Sequence, residues 1–198
     1  MGILTIEKTI RRKVDTWMDS KAWSHFLTIT KHKMIVMRYC FQVGLYKQGL
    51  LHDLSKYSPT EFLVGVKYYL GTESPNNAER MEKGYSSAWL HHKGRNKHHY
   101  EYWIDYSFQP GEKLEGMKMP LCYVVEMFID RLAASKVYYG KKFNTKIPWE
   151  YYEHSRSRMI IHPETKKMLE KLLKMLYIKG ERKTLAYIRK ELLPKGDY

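Results

Sequence analysis

Apolar residues recur at spacings of three and four along almost the whole chain, as in Ile29, Ile35, Val36, Tyr39, Cys40 and Val43, whereas alternation over a strand's length is hard to find. A helix buries a stripe at that period and a strand buries one face at period two, so the pattern confines the chain to an all-α fold. Punctuation agrees with this. Ser58-Pro59 ahead of Glu61, and Ser74-Pro75, each set a capping residue before a first-turn proline, while Gly71, Gly94, Gly111, Gly140 and Gly180 stand where helices should end.

The periodicity predicts helices over Thr5–Met18, Lys21–Val43, Tyr46–Leu54, Pro59–Leu70, Pro75–His92, His98–Asp105, Pro120–Tyr139, Pro148–Arg158, Pro163–Ile178 and Glu181–Leu193. The last two read as a basic helical hairpin whose apolar stripe is Leu169, Leu172, Leu173, Leu176, Leu185, Ile188 and Leu192. At 198 residues and 43% hydrophobic content, the chain has the size and apolar material for a single domain spanning 1–198. Cys40 and Cys122 sit in apolar helical surroundings and read as reduced thiols. The absence of a long uncharged apolar stretch and of a charged-then-apolar leader pattern leads to the expectation of a cytoplasmic protein with no membrane partner. The net charge of +14 predicts an anionic partner, either a phosphorylated small molecule or nucleic acid.

The histidines carry the chemical signal. His32, the His52-Asp53 dipeptide, and the pairs His91-His92 and His98-His99 precede Asp130, which lies in the mostly apolar run Tyr123-Val124-Val125-Glu126-Met127-Phe128-Ile129. A carboxylate in such a run must be paired or coordinated, because burying it alone costs several kcal/mol or neutralises it. Imidazole and carboxylate together suit divalent manganese, iron, nickel or zinc, and the lack of cysteine ligands argues against a finger-type structural zinc site. If the helix continued through His52 and Asp53, the two side chains would stand about 100° apart and approach one centre from adjacent directions. Of the double histidines, His92 and His99 are the favoured ligands; His25, His154 and His162 read as ordinary polar or partly buried histidines.

His32, His52-Asp53 and Asp130 resemble the four ligands of the HD superfamily, helical metal-dependent enzymes whose best-known members hydrolyse phosphate esters. Leu51-His52-Asp53-Leu54-Ser55-Lys56 is similar to the His-Asp-x-x-Lys form of cyclic-dinucleotide phosphodiesterases in that superfamily, and the double histidines look like the extra ligands of its two-metal members. The resemblance covers about 23–139, leaving about 147–198 as a C-terminal helical extension. It implies a phosphohydrolase or phosphodiesterase holding one or two divalent metals. Asp53 would bridge metals or orient the attacking water, and Lys56, on the same helical face, would reach a phosphate oxygen. Lys93, Arg95 and Lys97 would surround the cleft with positive charge. Some two-metal relatives use the same ligand order to hold two irons and activate oxygen, so an oxygenase is the alternative activity. A non-enzymatic basic nucleic-acid-binding protein is the alternative that the net charge raises.

Overall fold

A computed structural model describes residues 3–196, with side chains from Ser20 onward. About 74% of the chain is helical, with one two-stranded sheet among the described residues. The helices are α1 (Ile3–Val43), α2 (Tyr46–Leu51), α3 (Pro59–Lys67), α4 (Pro75–Lys83), α5 (Ser87–Lys93), α6 (Leu121–Tyr139), α7 (Ile147–Ser155) and α8 (Pro163–Tyr187). No helix among the described residues is long and apolar enough to cross a membrane. Contacts divide the chain into two compact units. One takes the chain up to Lys31 with Ser55–His92, the other His32–Leu54 with the chain from Lys93 onward, so α1 contributes residues to both.

The first unit holds α3, α4 and α5. The uninterrupted helix expected over Pro75–His92 is broken in the structure, because Gly84 adopts a left-handed conformation (φ 79°) that closes α4, and Ser86 restarts the chain by accepting the Trp89 N–H at 3.1 Å. The buried Glu79 organises this joint, accepting from Ser86 Oγ at 2.7 Å, Ser87 Oγ at 2.6 Å and Lys83 Nζ at 3.1 Å. Burial disfavours its charge, but the hydroxyls and the ammonium outweigh that and hold its pKa at about 2. His25 of α1 packs edge-on against the backbone of α3, so close that a Cβ on Gly65 would meet its Nε2 at 2.2 Å. Burial, helped by the Lys56 charge, lowers the His25 pKa to about 4 and keeps the ring neutral.

The second unit is built around α6. Val124, Val125, Phe128, Ile129 and Leu132 are fully buried against Val36 and Cys40 of α1 and against Leu169, Leu172, Leu173, Leu176 and Ile188. All seven residues of the predicted C-terminal stripe enter this core. The two arms of the hairpin meet at Gly180, the one non-helical residue inside α8 (φ 76°, ψ 171°). Tyr39 of α1 donates to Glu181 at 2.6 Å, and Lys136 of α6 pairs with the same carboxylate at 2.7 Å, tying three helices together.

Three further boundaries differ from those expected. α1 runs without a break through Met18–Lys21, since Asp19 and Ser20 cost an interior helix only a few tenths of a kcal/mol each. The helix expected over His98–Asp105 is a single 3-10 turn, Tyr100–Trp103, leading into β1 (Ile104–Tyr106), which pairs antiparallel with β2 (Leu114–Gly116). β2 lies so close to the chain at Ile161 and His162 that a Cβ on Gly116 would come within 2.6 Å of backbone. α2 ends at Leu51 rather than Leu54.

Candidate metal centre

The early end of α2 shapes the site. His52 leaves the helix with extended backbone (φ −50°, ψ 125°), and Asp53 is the one non-glycine residue with positive φ (54°) among those described. That left-handed conformation costs most side chains about 1 kcal/mol or more, and aspartate tolerates it best after glycine and asparagine. The helical phase assumed for His52 and Asp53, and for Lys56 beyond them, therefore does not apply. Lys33 of α1 holds the turn instead, its Nζ donating to the carbonyls of Leu50 at 2.8 Å and His52 at 2.9 Å, which a helix end would otherwise leave open. Burial lowers the Lys33 pKa, against the opposing pull of Asp53 and Glu126.

Four side chains from three segments meet here. His32 Nε2 lies 3.0 Å from Asp130 Oδ1, 3.3 Å from His52 Nε2 and 3.7 Å from Asp53 Oδ2; His52 Nε2 lies 3.3 Å from Asp53 Oδ2 and 3.6 Å from Asp130 Oδ1. A metal ion with ligands at ~2.0–2.2 Å in tetrahedral array sets them ~3.3–3.6 Å apart, so these spacings fit one ion at the centre. His32, His52 and Asp53 are buried, and the Asp130 side chain is 18% exposed, giving the cluster one edge toward solvent.

A second group shares Asp53. Its other oxygen, Oδ1, lies 3.4 Å from His98 Nε2, and Asp53, His98 and His99 each offer a ligand atom within 4.8 Å of one another. The sequence favoured His99 and set His98 aside; the structure brings in both, with ring centroids 4.2 Å apart. The connection from Gly94 to His99 is not helical, so no helical phase could have chosen between them.

Glu126 went unnoticed in the sequence. Its Oε1 accepts from His52 Nδ1 at 2.8 Å and lies 3.2 Å from His98 Nδ1. It stands one helical turn before Asp130 on α6, and that spacing of two carboxylates inside an apolar helix was the available signal. The electrostatics suit a cation. Although burial works against it, the carboxylates of Asp53, Asp130 and Glu126 raise the His52 pKa well above its usual value, and Asp53 and Glu126 raise that of His98. Burial is likewise overcome at Asp130, held well below the carboxylate range by His32 and His52, and at Glu126, lowered by His52 and His98.

In the other unit, His91 and His92 are both held through Nδ1 by one buried carboxylate, Glu61, at 2.6 and 2.8 Å, and Ser55 Oγ lies 3.2 Å from His92 Nδ1. His92 is buried and His91 partly so. Lys56 is half-buried in the 3-10 turn Leu54–Tyr57. Lys93 is half-buried, Arg95 and Lys97 are exposed, and Lys97 Nζ sits 5.7 Å from the Tyr102 ring centroid.

Fold and site together define an all-α protein with a buried histidine–aspartate cluster able to hold a metal ion. The chain belongs to DUF5662, a family of unknown function, whose sequence profile matches residues 21–175 and so takes in every member of the cluster. No curated protein matches the chain, and no solved structure does.

Proposed function

We propose that the chain is a metal-dependent phosphoric ester hydrolase acting on a nucleotide or another anionic phosphoester. The observation that carries this reading is the convergence of His32 Nε2, His52 Nε2, Asp53 Oδ2 and Asp130 Oδ1, in which each histidine nitrogen lies 3.0–3.7 Å from the other three atoms. These four would hold one divalent transition ion (manganese, iron, nickel or zinc), and Asp53 Oδ1 with His98 and His99 would hold a second. Such ions, when bound, neutralise phosphate charge and bring the pKa of a coordinated water toward neutrality.

The protein's own residues do the remaining work. Asp53 presents one oxygen to each histidine group, so it orients whatever lies between them. Lys33 fixes the turn that aims His52 and Asp53, and Lys93, Arg95 and Lys97 supply positive charge in the connection that carries His98. Asp130, at the exposed edge, marks the side from which a substrate enters.

The test is metal analysis of purified protein followed by a phosphatase and phosphodiesterase panel with manganese, iron, nickel and zinc. Hydrolysis that depends on metal and vanishes in Asp53→Ala, with helical circular dichroism retained, supports the reading. Metal-dependent oxygen uptake without hydrolysis replaces it with a two-iron oxygenase. Steeply salt-dependent nucleic-acid binding that survives Asp53→Ala, with no activity, replaces it with a binding protein.

A further inference from the structure

The two histidine groups are joined by one atom outside both. Glu126 Oε1 lies 2.8 Å from Nδ1 of His52 and 3.2 Å from Nδ1 of His98, and those rings are neighbours, tilted by 36° with centroids 4.4 Å apart. On the opposite side of this ring pair, the Nε2 atoms face different oxygens of one carboxylate: His52 Nε2 lies 3.3 Å from Asp53 Oδ2, and His98 Nε2 lies 3.4 Å from Asp53 Oδ1. Two imidazoles thus stand between Glu126 behind and Asp53 in front. Glu126 is buried and carried on α6, the helix that also supplies Asp130.

We infer that Glu126 is the positioning residue that builds both ligand groups at once. The inference rests on the metal-site reading above and extends it to a carboxylate that would not itself touch a metal. A neutral imidazole that donates Nδ1–H must offer its lone pair at Nε2, so a single acceptor behind both rings commits both to Nε2 coordination. A carboxylate is needed because its oxygen carries two lone pairs and a charge that raises the basicity of each ring. The two metal positions are therefore coupled through their histidines as well as through Asp53. Loss of Glu126 weakens both, although their other ligands (His32 and Asp130 in one, His99 in the other) are untouched.

The experiment compares the parent with Glu126→Ala and Glu126→Gln. Metal affinity is measured by titration with zinc, stoichiometry by elemental analysis, and fold by circular dichroism. Ring protonation of His52 and His98 is read from their nitrogen chemical shifts, in metal-free protein at alkaline pH and again with zinc. Glu126→Ala is expected to lose roughly 10- to 100-fold in affinity at both positions, as supporting groups behind metal-bound histidines commonly do. Glu126→Gln, whose amide oxygen still accepts, should recover part of that loss. The parent rings should both show Nδ1–H, and Glu126→Ala should show a mixture. Folded Glu126→Ala with parental affinity at both positions overturns the inference, as does a parent with Nε2–H in either ring. A parent that binds no zinc sinks the metal reading while the ring shifts still decide whether Glu126 sets the tautomers. Should Glu126→Ala fail to fold, Glu126→Gln decides by the same measures, a change confined to one position overturning the coupling.

Discussion

The Nε2 of His32, on α1, lies 3.0 Å from Oδ1 of Asp130, on α6, so the two central helices of the larger unit are joined at their chemical groups as well as through the Val36, Cys40 and Phe128 core. A bound divalent ion should stabilise the fold directly, by about 2.7 kcal/mol at a concentration 100-fold above its dissociation constant. Thermal melts with manganese or zinc should rise, return to baseline with a chelator, and show no metal response in His52→Ala. An equal metal response in His52→Ala would place the binding elsewhere.

The Asp53 backbone allows the chemistry and the conformation of that residue to be separated. Asp53→Asn keeps a side chain that tolerates positive φ, whereas Asp53→Ala adds a cost of ~1 kcal/mol for the left-handed conformation. Both variants should lose metal affinity, and Asp53→Ala should also melt earlier than Asp53→Asn. Equal melting temperatures would show that the turn relaxes when the aspartate is lost.

Glu79 predicts an acid limit for the smaller unit. Its pKa is depressed from 4.5 to about 2, so the unfolded chain takes up the proton first as pH falls. Its stabilisation is complete above about pH 4.5 and is lost as pH drops toward 2. Glu79→Gln, which weakens the bonds from Ser86, Ser87 and Lys83, should lower stability by ~2 kcal/mol at neutral pH. Denaturant midpoints of the parent and Glu79→Gln should converge at the acid end; a constant gap would refute the assignment.

Gly65 and His25 form a steric pair. Gly65→Ala should cost roughly 1–3 kcal/mol, because the new Cβ would overlap the His25 ring and both backbones are held in helices. In the His25→Ala background the same substitution should be nearly neutral, and a double-mutant cycle measures the difference. Additive costs would mean that the glycine is needed for some other reason.

The helical class was legible because apolar spacing reports burial directly, and the C-terminal stripe reached the core residue for residue. The short pairing Ile104–Tyr106 with Leu114–Gly116 was not, since three-residue strands fall below any window in which period two can be told from chance. The His52-Asp53 dipeptide and Asp130 stood out in the chain, but their mutual geometry did not. It depends on where α2 stops, and that is decided partly by Lys33, a residue of another helix which no local pattern points to. Glu126 looked like one more polar interruption in an apolar helix until its two histidine partners, both from earlier segments of the chain, were seen beside it. The choice between His98 and His99 needed the irregular backbone after Gly94, which periodicity does not describe.

The interleaving of the two units also dictates an order of events during synthesis. A nascent chain released as far as His92 already contains His32, His52 and Asp53, yet it lacks Glu126 and Asp130 on α6 and the Leu169–Leu176 stripe. The larger unit cannot close until α6 has been made, so its earliest segment must wait through the whole of the intervening one. Such delayed, long-range closure slows folding relative to a helical chain of local contacts. A ribosome stalled before α6 would thus present a polypeptide that carries three of the four residues of the central cluster and has no way to enclose them.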